Sequence, residues 1–346
     1  MARPKTPASL SRLGPARQRK IIDSARRESV KASVHGHHHA LAFHPDGTLL
    51  ATASGRAVVL VHLDDGCRLE SLTGPSDPRT GLTAGHTDTI SSLAFDPGGA
   101  HLISVGYDGA LIRWTVASRE PRKKNVSSDR IHSVALSPDG WTAYTVGHEC
   151  VLGVVDLSGE HTTRRHPGLH LYGSAVGVSS DGQTIVSSDS AGLVRLWTPT
   201  GECRAELSHQ PTPTSRTSIP YWPVSIRFRP GSPEALLACR GEEAVVLDTE
   251  ALVRRHTFTG GHASYLSDAL WIEEHAVVVT VAEDHCLSLW DTRRPDDEAL
   301  RLTLRPHDRE VATLALSPDG RTLATLDAGG QLMLWDVPTL VASMPA

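Results

Sequence analysis

Three groups of residues in this chain of 346 are of a type and spacing that could carry chemistry. The run His35-Gly36-His37-His38-His39 packs imidazoles densely enough to attract Zn²⁺ or Ni²⁺. On a strand, however, alternate residues point to opposite faces, so the run cannot aim all its rings at one ion. Adventitious metal affinity is expected, and no specific metal site. The paired carboxylates Asp64-Asp65, Glu242-Glu243 and Asp296-Asp297 offer acid–base groups, but they stand where turns are expected and read as solvated turn residues. The five cysteines (Cys67, Cys150, Cys203, Cys239, Cys286) are odd in number, widely spaced and form no CxxC pair. That argues against a disulfide framework or a thiolate zinc site and for a reducing, cytoplasmic setting. A G-x-S-x-G nucleophile elbow and a G-x-x-x-x-G-K-[ST] phosphate loop are both missing from the sequence. No cofactor is called for, and no residue is assigned a catalytic role.

The elements that must position these groups come in seven copies. A short apolar strand ends in a turn of the Pro-Asp-Gly type; a second strand, a tight turn and a third strand follow. Anchored on Phe43, Phe95, Leu136, Val178, Phe228, Leu270 and Leu316, the copies step by 52, 41, 42, 50, 42 and 46 residues. The two long steps mark insertions near 71–84 and 205–222, rich in Pro, Ser, Thr and Gly. Pro45-Asp46-Gly47, Pro138-Asp139-Gly140 and Pro318-Asp319-Gly320 each supply a fixed φ, a side-chain acceptor and a residue free to take positive φ. The sixth copy departs, with Glu273-Glu274-His275. Runs such as Leu102–Val105 and Val277–Thr280 are β-branched and bounded by turns, and no long helical period competes with them. An all-β chain of repeats follows, each burying its apolar faces only against its neighbours.

On these repeats the chain resembles the WD-repeat family of β-propellers over about residues 29–346. The resemblance implies a seven-bladed β-propeller with four antiparallel strands per blade. It also implies a buried polar set in each complete blade: His, Ser or Thr, Asp, Trp. The second copy supplies His86, Ser104, Asp108 and Trp114; the sixth supplies His262, Thr280, Asp284 and Trp290 at identical spacings. The seventh keeps His307, Thr325 and Trp335 but has Gly329 where Asp is expected. The fourth keeps Ser187 and Trp197, with His170 one residue out of step. Taken alone, a His/Ser/Asp set suggests a hydrolase triad. Its recurrence at blade spacing argues instead for a structural relay of hydrogen bonds. Copies one, three and five carry His62, Val155 and Leu247 at the Trp position and are expected to be the softer blades.

Residues 1–28 read as a flexible basic arm. Eight Lys or Arg against Asp23 and Glu28 give it a net charge of +6, leaving −11 for the rest. Nucleic acid, an acidic partner or an anionic surface would suit it, but a solvated extension is favoured. Residues 16–27 could form a short helix through Ile21 and Ile22. Either the strand Val30–Val34 or the segment Leu340–Met344 could close the ring and remove its exposed edges. No run of apolar residues is long enough to span a membrane. Only 5 of the 34 basic residues are Lys, a bias that suggests a GC-rich bacterial genome.

Propellers of this kind present a narrower face around a central channel. By register, that face receives Tyr107, His148, Ser190, Arg240, Glu283 and Ala328 from the turns between second and third strands. It receives His37, Thr89, Arg130, Tyr172, Trp222, Tyr265 and Glu310 from the entries to the first strands. Tyr, Trp and Arg dominate binding hot spots, so Tyr107, Arg130, His148, Tyr172, Tyr221, Trp222, Arg240, Tyr265 and Glu283 are the candidate partner-binding residues. The expected function is a non-catalytic scaffold that holds a protein partner within a larger complex. The alternatives are a lyase or hydrolase using Arg130, His148, Arg240 and Glu283 at the channel mouth, and nucleic-acid association through the arm.

Overall fold

The computed structural model describes residues 15–31, 40–65, 67–75, 83–159, 162–208 and 222–345. Their strands form seven four-stranded antiparallel sheets arranged as the blades of a propeller. Six blades are built from consecutive strands, spanning 41–72, 90–125, 131–167, 173–208, 223–258 and 266–304. The seventh joins three C-terminal strands (Val311–Leu316, Thr322–Asp327, Gln331–Asp336) to β1, Arg26–Lys31, at its outer edge. The N-terminal strand therefore closes the ring, pairing Val30 with Leu332 and Ser29 with Met333. The C-terminal candidate does not: Val337–Ala342 is a helix (α2), N-capped by Asp336, whose carboxylate accepts the Thr339 N–H.

The basic segment contributes to this closure. Pro15–Ala25 is a helix (α1) that buries Ile21 and Ala25 in the same apolar cluster as Val337 and Leu340 of α2. Its apolar stripe holds the helix on the propeller while Arg17, Arg19 and Lys20 stay exposed. β1 begins at Arg26, within the segment read as the arm.

The turns form by the chemistry their residues dictate. Asp46 accepts the Thr48 N–H at 2.8 Å and Asp139 accepts the Trp141 N–H at 3.0 Å, while Gly47 and Gly140 sit at φ of +78° and +75°. The sixth copy solves the same problem differently. Glu273–His275 is a single 3₁₀ turn followed by Ala276 in the left-handed region, and the strand before it is one residue longer than its counterparts in blades 2 to 5 and 7. The core lies between blades, where facing sheets interdigitate. Ala51 and Leu60 of blade 1, for example, meet Ile90, Leu102, Ile112 and Trp114 of blade 2. Trp114, Trp197, Trp290 and Trp335 are all fully buried.

One register detail positions the site. In blades 2 to 7 the innermost strand carries a bulge at its second residue: Ser91, His132, Ser174, Val224, Ser267 and Ala312. All six line the central channel, as a bulge re-aims its side chain out of the normal alternation. No helix among the described residues is long and apolar enough to cross a membrane.

Candidate functional site

The His/Ser/Asp sets form relays with no free nucleophile. In blade 2 the Trp114 indole N–H donates to Ser104 Oγ at 2.9 Å. The Ser104 hydroxyl must then donate its one hydrogen onward, to His86 Nε2 at 2.8 Å, and His86 Nδ1 donates to Asp108 at 2.9 Å. Blade 6 repeats this through Trp290, Thr280 and His262, with His262 Nδ1 at 3.2 Å from Asp284. Burial pushes both carboxyls up. The imidazole hydrogen bond and charge, with backbone N–H groups, outweigh it, and Asp284 ends near 2 with Asp108 lower still. Ser104 and Thr280 are sealed from solvent. Each relay saturates its own members and ties two strands to the preceding loop.

Blade 7 completes its relay despite Gly329. Trp335 donates to Thr325 at 2.9 Å, Thr325 meets His307 at 2.8 Å, and Asp327 takes the imidazole Nδ1 at 3.2 Å. The carboxylate comes from the end of the second strand rather than from the turn two residues later. Blade 4 keeps the Trp197–Ser187 bond at 2.8 Å, but Asp189, the counterpart of Asp327, accepts the backbone N–H of His170 at 2.8 Å. In blade 1 the residue equivalent to Trp is Val61, not His62: Leu50 pairs with Val61 as Leu102 pairs with Trp114. His62 points to the rim and meets Glu70 at 3.0 Å.

At the channel mouth the two groups of residues read from the sequence are joined pairwise. Tyr107 N–H donates to the Thr89 carbonyl at 2.9 Å, His148 to Arg130 at 2.9 Å and Ser190 to Tyr172 at 3.0 Å. Arg240 donates to Trp222 at 2.7 Å, Glu283 to Tyr265 at 3.0 Å and Ala328 to Glu310 at 2.8 Å. One backbone hydrogen bond in each of blades 2 to 7 thus places a turn residue beside an entry residue around the opening of a channel of about 1240 Å³. Tyr221 and His35–His39 lie outside the described residues.

The side chains gather in two clusters. On blades 2 to 4, the His132 and His148 rings stack at 4.9 Å, inclined by 13°. Tyr172 lies 5.5 Å from His132 and 5.2 Å from His148; Tyr107 lies 5.5 Å from His132. The Arg130 guanidinium lies 5.0 Å above the Tyr107 ring. Burial raises the Tyr107 phenol to about 12, with the nearby Arg130 charge opposing. On blades 5 and 6, Arg240 lies 5.8 Å from the Trp222 ring and 5.2 Å from the Tyr265 ring, with Glu283 at 3.6 Å. The four groups of the enzyme reading therefore divide, Arg130 and His148 in one cluster, Arg240 and Glu283 in the other. His132 escaped the sequence reading because it is the bulge residue; the only signal was an imidazole on an otherwise apolar and serine-lined strand.

Deeper in the channel, Asp268 is buried and fully engaged. It accepts from Ser225 at 2.6 Å, Arg227 at 2.7 Å, Thr313 at 2.9 Å and the Leu314 N–H at 3.2 Å, binding blades 5, 6 and 7 together. Among the described residues no group of three His, Cys, Asp or Glu is arranged to hold a metal ion.

Comparison with known proteins agrees with this architecture. Residues 28–61, 78–115 and 299–336 match the model of the WD domain, G-beta repeat. Cilia- and flagella-associated protein 57 of Mus musculus is 26% identical over 155 residues, covering 44% of this chain and 11% of that protein. Small ribosomal subunit protein RACK1z of Arabidopsis thaliana is 27% identical over 135 residues, covering 33% of this chain and 40% of the relative. The chain thus spans well under half the length of either. Guanine nucleotide-binding protein subunit beta-1 of Nicotiana tabacum is 23% identical over 277 residues, covering 76% of this chain and 72% of the relative. A chain in the crystal structure of the mitotic checkpoint complex superposes with a TM-score of 0.75 over 97% of this chain and 95% of its own, at 16% identity.

Proposed function

The chain is a β-propeller of the WD-repeat family, and from that premise we propose that it is a non-catalytic scaffold binding a protein partner on the upper face of the propeller. The observation that carries this reading is the one-to-one backbone pairing at the mouth. It holds Tyr107, Arg130, Tyr172, Trp222, Arg240 and Tyr265 on rigid turns around a wide opening. Rigid aromatic and guanidinium groups at the centre of a patch are the usual anchors of an interface. Acid–base chemistry is less well served, since its four candidate groups stand in separate clusters and Asp268 is consumed by hydrogen bonds. The test is an affinity pull-down from the native lysate, read by mass spectrometry, with wild type beside a variant carrying Ala at Tyr107, Arg130, Tyr172 and Trp222. A stoichiometric protein partner lost in the variant is the expected result. A partner retained by the variant, or none captured by either, would overturn the reading.

A second reading, nucleic-acid association through the basic segment, is favoured by one observation: α1 presents Arg17, Arg19 and Lys20 to solvent on a helix fixed to the propeller. Deleting residues 1–28 would also remove Ile21, Ala25 and the start of β1, so charge reversal is the cleaner probe. Wild type binding a duplex with strong salt dependence, and Arg17→Glu/Arg19→Glu/Lys20→Glu losing it, would support this reading.

A further inference from the structure

The two clusters at the mouth differ in one respect that points to the chemistry of the partner. In both, a guanidinium lies over an aromatic face, Arg130 over Tyr107 and Arg240 over Trp222 and Tyr265, a contact that uses the face of the cation and not its N–H donors. On blades 5 and 6 that cation has a carboxylate of its own, Glu283, at 3.6 Å from Arg240. On blades 2 to 4, Arg130 is exposed on Tyr107 and no carboxylate among the described residues pairs with it. The two nearby acids are otherwise engaged. Asp129 accepts the backbone N–H of Arg130 at 2.7 Å and stands 3.8 Å from His148 Nδ1; Asp88 accepts the Thr89 N–H at 2.7 Å.

The ring contacts that begin at this cation lead through Tyr107 and His132 to an exposed apolar pair, Leu171 and Tyr172. Leu171 is 50% exposed and Tyr172 37%, two of the six exposed large apolar side chains among the described residues. Tyr172 stacks on the His132–His148 pair, so the aromatic platform runs unbroken from Tyr172 to Tyr107 and ends at Arg130. A partner covering it has to place apolar atoms on Leu171 and Tyr172 and an acceptor of negative charge at Arg130. A bidentate carboxylate fits the edge of a guanidinium, and the Arg240–Glu283 pair is the same match made within the chain.

We infer that blades 2 to 4 of the upper face receive an acidic segment of the partner protein, an Asp or Glu carboxylate on Arg130 beside a large apolar side chain on Leu171 and Tyr172. This rests on the upper-face reading above and goes beyond it by naming the partner's chemistry and the sector it occupies.

The experiment is a positional-scanning array of glycine-flanked peptides with five randomised positions, phosphoserine included, probed with the full-length protein. The variants are Arg130→Gln, Arg130→Glu, Arg240→Gln and the fourfold Ala variant. Wild type selects Asp or Glu at one position next to a large apolar residue. Arg130→Gln loses that selection and weakens the best peptide about tenfold by fluorescence anisotropy, the scale of one charge-assisted contact. Arg130→Glu turns the selection towards Lys and Arg, and Arg240→Gln keeps the acidic preference. Arg130 is exposed, so the two Arg130 variants should melt with wild type. Selection of basic residues by wild type, acidic selection that survives Arg130→Gln, or selection of phosphoserine alone overturns the inference. Peptides bound without acidic preference but lost in the fourfold variant overturn it while leaving the upper-face reading standing. Peptides bound equally by the fourfold variant, or none bound at all, overturn both.

Discussion

Blade 6 and blade 1 place a threonine at the same point of the second strand and surround it differently. Thr280 of blade 6 receives the Trp290 indole at 2.8 Å and faces His262 at 2.8 Å. Thr52 of blade 1 is equally buried, but Val61 stands where the indole would be, and among the described residues Thr52 Oγ1 has no hydrogen-bond partner. The contrast teaches that the fold does not need the relay in every blade. Apolar packing between blades carries the ring, and the relay adds a tie where all four members occur. Blade 1 is also tied at the rim, where Glu70 takes both His62 and Arg119, 2.9 Å away, across blades 1 and 2. Such half-exposed ion pairs contribute little, so the inventory of contacts alone would overrate them.

The sharpest way to break this comparison is Thr280→Val, which strands an indole N–H and an imidazole nitrogen in the interior. A loss of about 2–4 kcal/mol is expected in denaturant unfolding. A loss below about 0.5 kcal/mol would mean the relay holds nothing that packing does not already supply. Acid should come next. The Asp284 carboxyl is held near 2 against an ordinary value of 3.8, so its ionised form stabilises the folded state above about pH 4. That contribution, of order 2 kcal/mol, is lost as pH falls through 2. Unfolding measured at pH 6, 4 and 2 should show wild type converging on Asp284→Asn as pH falls; parallel curves would contradict the assignment. In blade 7, Asp327→Asn keeps an acceptor but removes the charge, and about 1 kcal/mol should go with it. An unchanged midpoint there would return the relay to three members. Smallest of all, Thr52→Val should be neutral or slightly stabilising, because it removes a buried hydroxyl that nothing among the described residues satisfies. Equal losses at Thr52 and Thr280 would erase the distinction between the blades.

The repeats, the Trp-bearing relays of blades 2 and 6, and most of the mouth were legible in the chain because they depend on local register. A strand of fixed length after a turn of fixed chemistry delivers its residues to the same place each time, so Tyr107, His148 and Arg240 fell where counting put them. Counting failed where geometry shifts by a residue. His62 was read at the Trp position that Val61 occupies. Asp327 replaced the absent turn carboxylate from two residues away, since an imidazole nitrogen can be reached from either side. His132 was hidden because a bulge reverses which side chains face the channel.

The sequence by itself determined an all-β ring of seven repeats, the relay in its complete copies and the positions that crowd one opening, all properties of short segments read at a fixed spacing. The tertiary structure alone decided which terminus closes the ring, which carboxylate binds three blades together and which guanidinium at the mouth keeps a partner of its own. Those matters turn on groups far apart in the chain, as Ser225, Asp268 and Thr313 are, and no local spacing carries their distances. They follow only once the sheets have packed against one another and the buried polar atoms have found the acceptors within reach.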